Sequence, residues 1–195
     1  MFNRIINLPS NISWDLIDLL TGKLPILEKY YEKIIGPEYI KEYKLFNIKP
    51  RSRVLHIGCG SYPLSEILLV KLLDAKVTGI DINPKSIERA RQVIRRKKLI
   101  DSIDLVVENG VRYPAENFDI VIISSCAHPK TLIIENILRT NNRFILREKE
   151  ISTKIVERYL REHGELKIVK EITHHPFPFY HPMGWKSYLI EKKNL

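Results

Sequence analysis

The chain has 195 residues, 44% of them hydrophobic and 28% charged, which suits one packed domain and excludes intrinsic disorder. The first 30 residues hold no basic segment followed by a long apolar run, and no apolar run reaches the roughly 20 residues of a membrane span, so neither a secretory leader nor a span is expected. The formal net charge of +9 suits nucleic acid, an anionic metabolite or an acidic protein as partner, although the basic residues are scattered.

Cys59 and Cys126 form no CxxC pair and imply no disulfide framework, so the cytoplasm is the expected compartment. The chain is rich in Ile, Lys and Glu and has a single glutamine, Gln92, a composition that fits a thermophile.

Residues 1–50 read as a helical N-terminal arm, and 51–195 as the main domain. Ser13 is placed to cap a short helix through Leu20. Pro25 then starts a second helix, with Leu27, Tyr30, Tyr31 and Ile34 expected on one face. Gly36-Pro37 is expected to break it, leaving a further turn or two from Glu38 to Phe46.

From Arg53 the pattern alternates between strand and helix. Strands are expected at 54–57, 76–80, 104–107, 118–124 and 143–147, with helices at 64–73, 84–98 and 132–138 between them. Phe118 to Ser124 is an apolar run of the kind that parallel sheets bury on both faces. The compact basic run Arg95-Arg96-Lys97-Lys98 falls at a helix end, where cations offset the dipole; a solvated terminus is the plain reading, a nucleic-acid patch the other. Ser152 is expected to cap a helix to about His163. Two last strands, 166–172 and 186–191, have no helix between them and should pair antiparallel. The expected fold is α/β: a doubly wound, mostly parallel sheet with an antiparallel last strand, in three α/β/α layers, preceded by the arm.

The most informative segment is Val54 to Pro63. A strand ends in Gly58-Cys59-Gly60 and a helix follows, so the backbone turns sharply and a ligand can approach the bare turn and the helix N–H groups. The second strand ends in Asp81, an acid able to accept both ribose hydroxyls of an adenosine, and Ile82-Asn83-Pro84 leads into the next helix. The third strand is followed by Glu108-Asn109-Gly110, a polar side chain and a bare backbone suited to an adenine. A dinucleotide would want a third glycine where Pro63 stands, whereas S-adenosylmethionine carries no phosphates and ends in an amino acid.

With these residues the chain resembles the class I S-adenosylmethionine-dependent methyltransferases, a Rossmann-like family. The matches are Val54 to Gly60, Gly79 to Pro84 with Ala90-Arg91, Asn109-Gly110 and Phe118 to Val121. The resemblance implies S-adenosylmethionine as cofactor, with Gly58 and Gly60 at its methionine end, Asp81 on the ribose and Asn109 near the adenine. Cys59, Tyr62, Ile82, Ser124 and Ser125 complete the expected cofactor contacts. Most members have an acid where His56 stands, which puts the contact to the cofactor amino group in question. Gly58 to Leu64 and Ala127-His128-Pro129-Lys130 are also similar to the nicotianamine synthase family, which transfers the aminocarboxypropyl arm instead of the methyl group. That family's catalytic Tyr and Glu have local candidates in Tyr30, Tyr31, Glu32, Glu38 and Tyr39, with Tyr31 taken as catalytic.

The fourth strand end, Ser124 to His128, should lie beside the sulfonium, with His128 as general base through its ordinary pKa near 6.5. Cys126 reads as a small apolar residue. The stretch His174 to Trp185 reads as a proline-stiffened lid with an exposed His pair; no metal is expected, although its histidines permit one with His128. Its aromatics also suit base stacking. A small molecule is the expected acceptor. RNA or protein stays open as acceptor, a homodimer as assembly, and a non-catalytic binding subunit as a further alternative.

Overall fold

The computed structural model describes residues 20–21, 25–176 and 184–193. The expected Ser13-capped helix and most of the Pro- and His-rich stretch, His181 included, lie outside the described residues.

Helix α1 (Pro25–Leu45) precedes strand β1 (Arg53–Ile57). Then come α2 (Leu64–Leu73), β2 (Lys76–Asp81), α3 (Pro84–Arg96), β3 (Ile103–Val107), β4 (Ile120–Ile123), α4 (Lys130–Ile137) and β5 (Arg143–Lys149). After a 3-10 turn, Glu150–Ser152, the chain ends in α5 (Thr153–Glu162), β6 (Leu166–His174) and β7 (Trp185–Lys192). The seven strands form one sheet in the order β3-β2-β1-β4-β5-β7-β6. β3 to β5 in that order are parallel, and β7 runs antiparallel to both β5 and β6, as the missing last crossover implied.

Two apolar clusters show the three layers. One joins α1, α2 and α3 to one face of the sheet through Ile35, Tyr43, Ile67, Leu69, Ile87 and Val93. The other joins α4 and α5 to the opposite face through Ile133, Ile137, Val156 and Leu160. β4, Ile-Val-Ile-Ile, is buried at every position, as a central parallel strand must be. Local signals account for the helix ends. Asn83 caps α3 by accepting from the Lys85 N–H at 3.0 Å, with Pro84 in the first turn. Asp74 closes α2 in the left-handed region, φ 52°.

Three expectations need correction. Gly36-Pro37 does not break the arm, because α1 runs through Pro37 as one helix. The residue before a proline is pushed out of the helical region partly through its Cβ, and Gly36 has none. The apolar face is also rotated: Tyr30 is 61% exposed and Ile34 is at the surface, while Ile35, Glu42 and Tyr43 are buried. Ser152 makes no side-chain cap; its hydroxyl donates to Glu148 instead.

Candidate active site

The carboxyl ends of β1 to β4 open into one cavity of about 600 Å³, within the range of small-ligand sites. Tyr31, His56, Gly58, Cys59, Gly60, Tyr62, Asp81, Ile82, Asn109, Gly110, Ser124, Ser125 and His128 all lie on its wall. The crossover connections bring these segments, scattered in sequence, to one sheet edge at the point where strand order reverses, between β1 and β4.

The turn after β1 is made by Gly58 at φ 84° and Gly60 at φ 70°, both in the left-handed region that favours glycine. A Cβ on Gly58 would sit 3.1 Å from that of Ser124 and 3.2 Å from that of Ala127, so the turn also packs tightly against the loop after β4. The N–H groups of Gly58 and Cys59 donate to the Ile80 carbonyl at 2.8 and 3.1 Å. Asp81 joins the two loops: one carboxylate oxygen accepts from the Gly60 N–H at 3.1 Å, the other from the Asn83 N–H at 2.9 Å. The carboxylate is thereby held at the cavity wall, with lone pairs still available on both oxygens. Ile82 is 69% exposed at the rim. The side-chain oxygen of Asn109 accepts from the Val111 N–H at 2.9 Å, so its amide N–H groups are what it offers a ligand. A Cβ on Gly110 would fall 2.4 Å from Ile57 Cγ2, hence the bare backbone there.

Where the resemblance expected an acid, His56 is buried and its Nδ1 lies 2.6 Å from Oε1 of Glu66, a fully buried residue of α2. Sequence reasoning passed over Glu66, because an acid in a helix's first turn already has an explanation in the dipole. The usable signal was its isolation in the apolar run LSEILLVKLL.

His128 faces the open cavity. Desolvation by the surrounding walls, then the Lys130 ammonium, lower its pKa from 6.5 to about 4, well below the ordinary value expected from sequence. Lys130 is itself buried, and burial lowers its pKa. It donates to the Ser125 carbonyl at 2.7 Å and lies 3.3 Å from a Glu148 carboxylate oxygen, bracing the loop after β4.

Helix α1 walls the cavity on one side with Tyr31 and Tyr39; the Tyr31 and Tyr62 rings meet edge to face at 5.7 Å. Arg96 pairs with Glu28, and Lys97 donates to Glu32 at 2.7 Å, so half of the basic run is an anchor for the arm rather than a solvated terminus. Tyr62 donates to Glu32 at 2.6 Å. Burial and that hydrogen bond raise the Tyr62 pKa. Farther along α1, Glu42 meets Arg147, which also lines the cavity. His174 is fully buried, contrary to the exposed pair expected: Nδ1 lies 3.0 Å from Glu38, Nε2 lies 3.2 Å from the Ser187 hydroxyl, and the ring stacks on Trp185 at 4.5 Å. His175 lies nearer the surface, 3.6 Å from Glu150. Among the described residues no group of side chains is arranged to hold a metal ion, and no helix is long and apolar enough to cross a membrane.

Known proteins point the same way. Residues 48–188 match the family model of a methyltransferase domain. The chain is 37% identical over 86 residues to the ribosomal protein L11 methyltransferase of Burkholderia thailandensis, covering 44% of this chain and 27% of that protein. It is 33% identical over 97 residues to the sterol 24-C-methyltransferase of Aspergillus fumigatus, covering 48% and 25%. The chain thus spans about a quarter of the length of these relatives. Among solved structures, a point mutant of MtNAS, a nicotianamine synthase, in complex with S-adenosylmethionine superposes with a TM-score of 0.73 at 18% identity, covering 97% of this chain and 76% of that one. A SAM-dependent methyltransferase from Aquifex aeolicus gives a TM-score of 0.62 at 14% identity, covering 78% and 88%. At these identities the likeness is one of fold.

Proposed function

The chain belongs to the methyltransferase-domain family, and on that premise we propose that it is an S-adenosylmethionine-dependent transferase, a methyltransferase acting on a small or medium acceptor. The observation that carries this reading is the meeting of three strand-end loops, at Gly58–Gly60, Asp81 and Asn109–Gly110, around one cavity. Their chemistry fits the cofactor. Asp81 accepts the ribose hydroxyls on the lone pairs its loop bonds leave, and the Asn109 amide donates toward the adenine. The bare turn passes under the amino-acid arm without a side chain in the way.

The cofactor supplies an activated sulfonium carbon, so the protein's task is alignment and, for a protic acceptor, removal of a proton. His128, held neutral by its lowered pKa, is the acceptor of that proton. Tyr31, Tyr39 and Trp185 wall the cavity beneath α1, which favours a small acceptor over RNA or a folded protein. Cys59 and Cys126 are not joined in a disulfide, which suits the cytoplasm.

One observation favours aminocarboxypropyl transfer as a second reading. The arm and the glycine turn bring a Tyr–Glu pair together beside the cavity, Tyr62 of its wall donating to Glu32 at 2.6 Å; of the two, only Glu32 is among the candidates that the resemblance to nicotianamine synthase offered. The nucleoside by-product separates the readings. Incubation with S-adenosylmethionine and a panel of small amine, thiol and hydroxyl acceptors should yield S-adenosylhomocysteine. Methylthioadenosine would establish the second reading instead. Neither product, despite tight cofactor binding, would mark a non-catalytic binding subunit.

A further inference from the structure

We propose that Arg147 selects the acceptor: its terminal nitrogen Nη1 holds a carboxylate on the small molecule that receives the transferred group. The proposal rests on the transferase reading above and gives its acceptor a chemical class.

Arg147 stands on β5, away from the three loops assigned to the cofactor, yet it lines the same cavity. The cavity's other arginine, Arg89, belongs to α3 and follows the Asp81 loop. The Arg147 donors can be followed one by one. Nε and Nη2 grip Glu42 at 3.1 and 2.7 Å, and Nη2 also donates to the Ser65 hydroxyl at 3.1 Å. That occupies three of the five N–H groups of a guanidinium. Nη1 carries the other two and makes no hydrogen bond among the described residues. Nor is Nη1 among the buried side-chain atoms left without a partner, so its way out is the cavity that Arg147 lines. A ligand meeting it must bring lone pairs; an ammonium or an apolar group leaves the two donors unmet.

Charge narrows the class. Burial opposes the charge of Arg147, but Glu42 outweighs it, so the guanidinium stays a cation. A carboxylate opposite Nη1 makes a hydrogen bond that is ionised on both sides. Glu42 already balances the one positive charge, so a dianionic phosphate would add a second uncompensated charge where a carboxylate adds one. The receptor is also set in advance. Glu42 fixes one edge of the fork and the Tyr39 ring covers its face, 4.2 Å from the centroid, so a ligand has little side-chain freedom to remove. Tyr39 and Trp185, whose rings meet edge to face at 5.7 Å, give the rest of the acceptor an apolar bed beside it.

The test is calorimetric and needs no turnover. Protein saturated with S-adenosylhomocysteine is titrated with pairs that differ only by a carboxylate: 4-hydroxybenzoate and phenol, anthranilate and aniline, 4-aminobutyrate and propylamine. In the wild type the carboxylate member of at least one pair should bind about tenfold to a hundredfold tighter than its partner, the usual effect of a hydrogen bond to a charged group. The double variant Glu42→Gln/Arg147→Met removes both charges and strands neither, and should bring that pair within about twofold. Structural damage alone would weaken both members equally and keep their ratio. A wild type that prefers no carboxylate, or a preference that survives the double variant, overturns the proposal and leaves the cofactor reading in place. Failure of the wild type to bind S-adenosylhomocysteine overturns both. If circular dichroism shows the double variant unfolded, nitrogen NMR of the wild-type arginine side chains decides: the preferred carboxylate should shift a guanidinium signal that is missing from Arg147→Lys, and no shift overturns the proposal.

Discussion

Glu42 of α1 and Arg147 of β5, 105 positions apart, form a two-pronged ion pair: Nη2 lies 2.7 Å from one carboxylate oxygen and Nε 3.1 Å from the other. Both side chains are buried. Burial alone would raise the Glu42 carboxyl, but the guanidinium holds its pKa below the ordinary carboxylate value. The Arg147 guanidinium also lies over the Tyr39 ring, 4.2 Å from its centroid, so this pair seats the arm against the cavity. Glu42→Ala strands a buried charge and should cost about 3–5 kcal/mol. Denaturant unfolding measures it, and a loss below about 1 kcal/mol would show that the seating of the arm does not depend on this pair.

The same corner sets the acid limit of stability. His174 is buried and its pKa is lowered from the ordinary 6.5, so the unfolded chain binds its proton more readily. Its contribution is complete above the unfolded value and is lost as pH falls below it. Glu38 and Glu42 have depressed values too: burial opposes their charge, but Lys41 and His174 for Glu38, and Arg147 for Glu42, outweigh it. Their stabilisation is present above the ordinary 4.5 and is lost as pH falls through the folded values. Melting temperature should therefore decline from about pH 6.5 downward, first through His174 and then through the carboxylates. His174→Gln should flatten the first part of that decline; an unchanged slope would assign it to another group.

Asp81→Ala should weaken S-adenosylmethionine by about a hundredfold, since two charge-assisted hydrogen bonds to the ribose go with the carboxylate. It also frees the Gly60 and Asn83 N–H groups, so circular dichroism must accompany the titration. Unchanged affinity would remove Asp81 from the ribose.

His128→Ala should lower turnover far more than cofactor affinity. A base with a pKa of about 4 is neutral through the physiological range, so kcat/KM should stay level on acidification and fall only near pH 4. Lys130→Met removes the neighbouring ammonium and should shift that fall upward. A wild-type fall near pH 6.5 that survives His128→Ala would assign the proton transfer elsewhere.

Gly110→Ala places a methyl 2.4 Å from Ile57 Cγ2 in the rigid core of β1. The expected cost is about 1–3 kcal/mol of stability, with looser nucleoside binding as the loop after β3 is displaced. Thermal unfolding and nucleoside titration check both, and a neutral substitution would mean that the loop yields freely.

The sheet and the nucleoside loops were legible because their signals are local. The span Leu64–Leu73 follows from an apolar run bounded by Pro63 and Asp74, and the antiparallel end of the sheet follows from a missing crossover helix. Asp81 and the glycine turn lie at strand ends that alternation alone locates. The course of the arm is not legible in this way, because Gly36-Pro37 is a strong breaker in isolation and because the buried face of α1 carries Glu42, which no hydrophobic periodicity counts.

The sequence by itself determined the order of strands and helices, the turns between them and the edge of the sheet where a nucleoside would lie. These follow from side-chain period and backbone freedom within a few residues. Only the tertiary structure decided that Glu66 would stand behind His56, that Glu42 would grip Arg147, and that burial, and after it Lys130, would depress the pKa of His128. Each of these depends on burial and on the distance between charges, and for pairs such as Glu42 and Arg147, 105 positions apart, no local pattern encodes either quantity.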